Sequence, residues 1–182
     1  MTAFETQIRQ SIKFLSKELI GEKCREIYYT TVEGEPRLLE APPFDFWVFK
    51  KLAKFVAIEA KECGTERWPC SKLLPHEKDN LLKVAEFGGL AYIVILFRKL
   101  KSIKPTDFCV GWRIEAFVNY FNQTKERSIP RKYLEERAGE FFGNIIRIPY
   151  MKIGERAGGE PKIGWDIRVL ALPWEIYRRR EL

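Results

Sequence analysis

The chain is 182 residues long, enough for one domain with a real core and too short for two comfortable ones. Hydrophobic residues at 46% and aromatic residues at 14% exclude a disordered chain, and the longest apolar run, Leu90 to Phe97, is far too short to cross a bilayer. Thirty-two Lys and Arg against 25 Asp and Glu leave a formal charge of +7, which favours a polyanionic partner such as nucleic acid or an anionic membrane surface, a solvated basic surface with no partner being the other reading.

In chain order, Phe4, Ile8, Ile12, Leu15 and Leu19 recur every three or four residues, so the spacing predicts an amphipathic helix over 3–20 ending near Gly21. Ile27 to Val32 reads as a β segment followed by a turn at EGEP, and Pro42 and Pro43 force an extended approach to Asp45. Phe46–Phe49 and Phe55–Ala60 are expected to be two strands of a hairpin joined through KKLAK. A helix is expected from Pro75 to Phe87, closed by Gly88 and Gly89, and LAYIVILF after it is a continuous buried strand of the kind found inside parallel or mixed sheets.

A loop and a shorter strand follow in KLKSIKPTDFCVGWR, then IEAFVNYFNQ, which reads as a helix although its aromatic residues would also suit a strand. A second helix should start at Ser128 and Pro130 and run to Gly143. Beyond it the chain changes character, with the Gly- and Pro-rich AGGEPKIG between apolar runs readable as a β-hairpin or as a flexible excursion. Strand, helix and second buried strand predict an α/β fold, a central mixed sheet flanked by helices, as one domain over 1–182 with its core in 1–143 and a β-rich extension over 144–182. Trp165 and Trp174 are expected in the core or an interface, and YRRREL is expected to be a basic tail. Four cysteines without a C-x-x-C pair, and a single His, argue against structural zinc and for a reduced, cytoplasmic, soluble protein. The N-terminus carries Glu and Gln where a signal peptide needs an apolar run.

The chemistry concentrates in FDFWVFKKLAKFVAIEAKECG. On a strand Glu59 and Lys61 point to one face and Ala60 to the other, and a hairpin returning from Asp45 brings a second carboxylate beside Glu59. Two adjacent carboxylates repel unless a cation lies between them. A divalent ion, Mg2+ with Mn2+ able to substitute, suits Asp45, Glu59 and the main-chain carbonyl of Ala60. Lys61 would then orient an attacking water and attract a phosphate, a site for phosphodiester hydrolysis. The same residues, taken alone, are also readable as a surface Glu–Lys pair beside a chance Asp.

The order FDFWVF, IEAKE, RWPCSKLLPHE, LLKVAEFGG and LAYIVILF resembles the PD-(D/E)XK nuclease superfamily, and specifically RecU-type Holliday-junction resolvases, with RSIPRKYLEE similar to that family's basic segment. The resemblance runs from about Pro43 to Glu140. It implies Asp45 and Glu59 as metal ligands, Lys61 as the catalytic lysine, and Glu5 in FETQI as the N-terminal glutamate that completes related sites, a position that the helix dipole would equally explain. It departs at His76-Glu77, where the family has a His-X-X-Gln or His-Gln neighbourhood. His76 and Glu77 are therefore candidate auxiliary residues, His76 being readable also as a plain helix-start residue. The stretch ahead of Asp45 is short beside the long inserted stalk of bacterial RecU.

Lys50, Lys51, Lys54, Arg98, Lys99, Lys101, Arg127, Arg131 and Lys132 are candidate contacts to a DNA backbone. The resemblance implies a Mg2+-dependent endonuclease acting on four-way DNA junctions in recombination and repair as a homodimer, with no membrane partner. Two other readings stay open: a restriction- or repair-type nuclease cutting duplex DNA, and a non-catalytic DNA-binding recombination scaffold.

Overall fold

The computed structural model describes residues 2–24, 27–30, 36–40, 42–50, 55–98, 107–139, 143–155, 158–159 and 161–171, and of 27–30, 36–40 and 50 the backbone. The elements run α1 (Ala3–Phe14), β1 (Leu19–Lys23), β2 (Ile27–Thr30), β3 (Pro36–Glu40), β4 (Phe46–Lys50), β5 (Phe55–Cys63), β6 (Arg67–Pro69), α2 (Pro75–Glu86), β7 (Leu90–Phe97), β8 (Phe108–Arg113), α3 (Ile114–Thr124), β9 (Ser128–Pro130), α4 (Arg131–Arg137), β10 (Ile145–Arg147), β11 (Tyr150–Glu155) and β12 (Pro161–Trp165), with a 3-10 turn at Ile167–Ala171. Six strands form the central sheet in the order β1-β4-β5-β7-β8-β10, and β2-β3, β6-β9 and β11-β12 pair separately. All pairs in the sheet are antiparallel except β5 with β7, which α2 connects as a crossover. The expected mixed sheet flanked by helices is what forms.

Side-chain alternation gives the sheet two dry faces. Val56 and Ile58 of β5 and Tyr92, Val94 and Leu96 of β7 join Phe4, Ile8 and Ile12 of α1 and Trp165, Ile167 and Leu170 from the C-terminal segment. Ala57, Ile93, Ile95 and Phe97 point the other way, onto Leu81 of α2 and Phe117 of α3. A strand clad on both faces must be apolar at every position, which is why LAYIVILF lacks the polar alternation of a half-exposed strand.

Three expectations change. The helix predicted over 3–20 ends at Phe14, and Leu19–Lys23 is the edge strand β1. Leu15 and Leu19 are both buried in the α1-side core, one from the turn and one from the strand, so an i, i+4 spacing that looks helical is produced by two elements. The helix predicted to run to Gly143 stops at Arg137, and Ser128–Pro130 is not a cap but a strand that pairs antiparallel with Arg67–Pro69. The β segment expected from Ile27 does form, as β2, and it pairs with β3 in a two-stranded ribbon that falls in sequence between β1 and β4.

The predicted C-terminal hairpin is present as β11-β12, and it seats α1. The Trp165 N–H donates to Ser11 Oγ at 2.8 Å, Ser11 Oγ donates to the Gln7 carbonyl at 2.9 Å, and Trp165 Nε1 donates to Gln7 Oε1 at 2.8 Å. Ser11 is fully buried, and Gly164 leaves it room, since a Cβ there would stand 2.5 Å from Ser11 Oγ. Ser11→Ala orphans the Trp165 N–H and is expected to cost about 1–3 kcal/mol. At roughly 2–4 °C per kcal/mol, calorimetry should show a melting temperature lower by several degrees.

Candidate functional site

The site arises because β5 outruns its neighbour. β4 pairs with β5 only from Phe49↔Phe55 to Phe46↔Ile58, whereas β7 accompanies β5 from Val56 through Cys63. Residues from Glu59 onward therefore have one flank uncovered by β4. Asp45 immediately precedes β4, and continuing the register by one residue sets it across from Glu59. Two hydrogen bonds hold it there: the Cys24 N–H donates to the Asp45 carbonyl at 2.8 Å, and the Ala60 N–H donates to Asp45 Oδ2 at 2.8 Å.

Glu59 is 3% exposed, one of two polar residues that are buried among the described residues. Its Oε1 lies 2.6 Å from Lys61 Nζ, and Lys61 Nζ also reaches Glu77 Oε2 at 2.8 Å. Glu77 is fixed in turn by accepting the Leu74 N–H at the start of α2. Burial first, and then the charge of Asp45, push the Glu59 carboxyl up to about 8, although Lys61 works against both. Asp45 is also raised, by burial ahead of the nearby Glu5, while the Ala60 N–H opposes the shift. Burial pulls Lys61 down, but Glu59 and Glu77 outweigh it and keep the ammonium protonated. The result is a cation wedged among carboxylates, two of which would hold less negative charge than they could.

Glu5 arrives from the other face of the sheet. It closes a capping box with Thr2 and accepts from Lys23 Nζ at 2.5 Å. Burial is the largest single influence and raises the Glu5 carboxyl, but the hydrogen bonds from Lys23 and Thr2 and the Lys23 charge act together to hold it below the usual carboxylate range. Glu5 and Asp45 line the same cleft, so the helix-capping role and the site position coexist.

Reasoning from sequence missed Glu62. The period of two places it opposite Lys61, facing α1, where Oε1 accepts the Phe4 N–H at 2.7 Å and Oε2 pairs with Arg98 at 2.5 Å. The last letter of E-A-K-E thus pins the helix turn that carries Glu5. Its signal was present, an acidic residue on the inward face of a buried strand, but the partner is a backbone N–H 58 residues away. Glu62→Ala is expected to lower stability by about 1–3 kcal/mol, with Glu62→Gln milder because an amide oxygen still accepts from Phe4. Paired thermal melts of the two variants check this order.

Of the other predicted site residues, His76 is exposed in the first turn of α2, one position from Glu77. Arg131 pairs with Glu135 and stacks over the Phe108 ring at 5.7 Å, and Lys132 stands 3.8 Å from Glu136. Arg98 is tied to Glu62. Arg127 is exposed, and its carbonyl accepts from the Cys70 N–H. Lys50 is described by backbone alone, and Lys51, Lys54, Lys99 and Lys101 lie outside the described residues, as does Trp174.

The model of the family Recombination protein U matches residues 48–156. The chain belongs to the RecU family. The matched segment takes in Glu59, Lys61, Glu62 and Glu77, and it begins three residues after Asp45, so Asp45 and Glu5 are placed by geometry alone. A curated relative, the Holliday junction resolvase RecU of Ureaplasma parvum serovar 3, is 21% identical over 141 residues, covering 76% of this chain and 78% of its own. Among solved structures, Hjc of Archaeoglobus fulgidus, a Holliday junction resolvase from an archaeal hyperthermophile, is 16% identical with a TM-score of 0.40, covering 60% of this chain and 76% of that one. RecU membership bears out the resemblance read from the E-A-K-E segment and its downstream context.

A divalent cation fits this donor set in part. Among the described residues no three His, Cys, Asp or Glu side chains stand close enough to form a complete cage. One buried and one half-buried carboxylate, both with raised proton affinity, match a hard cation that prefers oxygen and retains several waters. Asp45 and Glu59 would hold it. Such an ion would neutralise charge developing on a phosphoryl group.

Proposed function

We propose that this RecU-family chain is a divalent-cation-dependent endonuclease that cuts four-way DNA junctions, with Mg2+ the natural ion and Mn2+ able to replace it. The observation that carries the reading is the convergence of Asp45, Glu59 and Lys61 at the end of β5 where β4 has left the sheet. The relative's name supplies the substrate class. In this reading Lys61 acts as a fixed cation rather than a base, because its carboxylate partners keep it protonated. Its ammonium attracts the phosphate, orients water for in-line attack and offsets the negative charge that grows as a P–O ester bond breaks. Glu77 keeps the ammonium aimed into the site, and the Ala60 N–H keeps Asp45 in register with Glu59.

The chain acts as one nuclease domain, with residues 144–182 completing it. A four-way junction has near two-fold symmetry, so paired cuts call for two sites and hence a C2 homodimer. No helix among the described residues is long and apolar enough to cross a membrane; the proposed place of action is the cytoplasm, on the reading that the substrate is DNA in recombination.

The test is cleavage of a mobile four-way junction beside a linear duplex of matched sequence, in Mg2+, in Mn2+ and in EDTA. Paired cuts in the junction, absent in EDTA, are expected. Preference for the duplex would reject junction selectivity, and no cutting in either ion would favour a binding scaffold.

A further inference from the structure

A cleft of about 930 Å3 starts at Glu5 and Asp45 and runs between α1 and β1. Whatever occupies it touches the nuclease end. Glu5, Arg9 and Lys13 follow one another at i, i+4 and i+8, so they share a helix face and advance about 6 Å per step. The cleft wall therefore changes from acidic at the carboxylates to basic within one helical turn. Lys23, the other cation nearby, is spent on Glu5.

Arg9 and Lys13 differ from the basic residues that sequence reasoning selected. Arg98, Arg131 and Lys132 each face a carboxylate, whereas Arg9 and Lys13 are exposed and have no ion pair among the described residues. They also stand on a rigid mount: α1 is capped at Thr2, pinned by Glu62 at Phe4 and clasped by Trp165 at Ser11. Cations fixed in advance lose little freedom when a polyanion arrives. The facing wall presents Ile20, 70% exposed on the edge strand, an apolar surface suited to a sugar edge. Free cations on the helix, Ile20 and the exposed Glu22 on the facing strand, and carboxylates at the end make the helix side the wall along which a nucleic-acid backbone would enter a site at which it is cut.

We propose that the α1–β1 cleft seats the DNA strand flanking the cleaved bond, with Arg9 and Lys13 each neutralising one phosphate. The proposal rests on the nuclease reading above and adds the direction in which the strand leaves the site.

The test measures binding of a synthetic four-way junction in EDTA by fluorescence anisotropy across a salt series. The Arg9→Gln/Lys13→Gln double variant is compared with a Lys83→Gln/Lys152→Gln control, which removes two exposed charges outside the cleft. The cleft variant should bind about tenfold more weakly, with the slope of log K against log salt reduced by about 1.4–1.8, and the control should match the unmodified protein. Charge-free methylphosphonates are then placed one at a time at the phosphates on either side of the cut. Two adjacent positions should weaken binding by the unmodified protein and have no further effect on the cleft variant, the signature of direct coupling.

An unchanged salt slope, or methylphosphonate effects that persist in the variant, would overturn the cleft assignment while leaving the nuclease reading intact. An unmodified protein that binds no DNA would overturn both.

Discussion

Lys61→Ala should lower junction cleavage by at least about 10²–10³-fold, the size of losing one preorganised electrostatic group, while junction binding changes by less than about threefold. The argument is geometric. The ammonium is held at 2.6 Å from Glu59 and 2.8 Å from Glu77, and no other cation among the described residues is bonded to either carboxylate. Phosphate attraction at the reacting position therefore has no substitute, whereas binding is spread over many backbone contacts. Removal also leaves Glu59 buried without its counter-ion, so a lower melting temperature is expected beside the lost activity. Single-turnover cleavage and anisotropy, both run well below the variant's melting point, separate chemistry from unfolding. Unchanged cleavage would remove Lys61 from the mechanism.

Glu59→Gln should have the opposite sign on stability: abolished cleavage, but a more stable fold in EDTA. A carboxyl pushed up to about 8 by burial and by Asp45 binds its proton more tightly in the folded chain than in the unfolded one, where it titrates near 4.5. Between those values the folded state holds more protons, so the stability of the unmodified protein falls as pH rises from about 4.5 to 8. A neutral amide does not titrate, and the variant's advantage should grow across that same window. Lys61 keeps Glu77 as a partner in the variant, which limits the loss on the other side of the ledger. Urea unfolding in EDTA at pH 5 and pH 8 checks the sign: a gain of about 0.5–2 kcal/mol at the higher pH is expected, and a loss that is greater at pH 8 would show that the Lys61 pair dominates. Added divalent ion should stabilise the unmodified protein and leave the variant nearly unaffected.

What was legible in the sequence is the part built from local pattern. FDFWVF and FVAIEAKEC fold as the expected hairpin, LAYIVILF as the buried strand beside it and PHEKDNLLKVAE as the crossover helix, because each pattern agrees with burial on the faces where it lies. Alternation within E-A-K-E correctly put Glu59 and Lys61 on one face. It failed where a period spans two elements, as with Leu15 and Leu19, and where a short strand such as Ser128–Pro130 exists only because Arg67–Pro69 lies beside it. The Glu62 hydrogen bond to Phe4 and the seating of α1 by Trp165 are invisible to any window, since their partners lie 58 and 154 residues apart. The β-rich extension expected beyond residue 143 supplies β10 to the central sheet and Trp165, Ile167 and Leu170 to its core, roles set by tertiary contact alone.

The Ser11–Trp165 bond also orders events in time. Its two ends are separated by 154 positions, so α1 cannot be fully seated until long after it has itself been synthesised. Until the chain has been synthesised through Trp165, Asp45, Glu59 and Lys61 exist without the clasp that seats Glu5, Arg9 and Lys13. A nascent RecU chain of this kind carries the residues proposed to cut before it can present them to DNA as a set, and a nuclease gains from being incomplete while it is still being made.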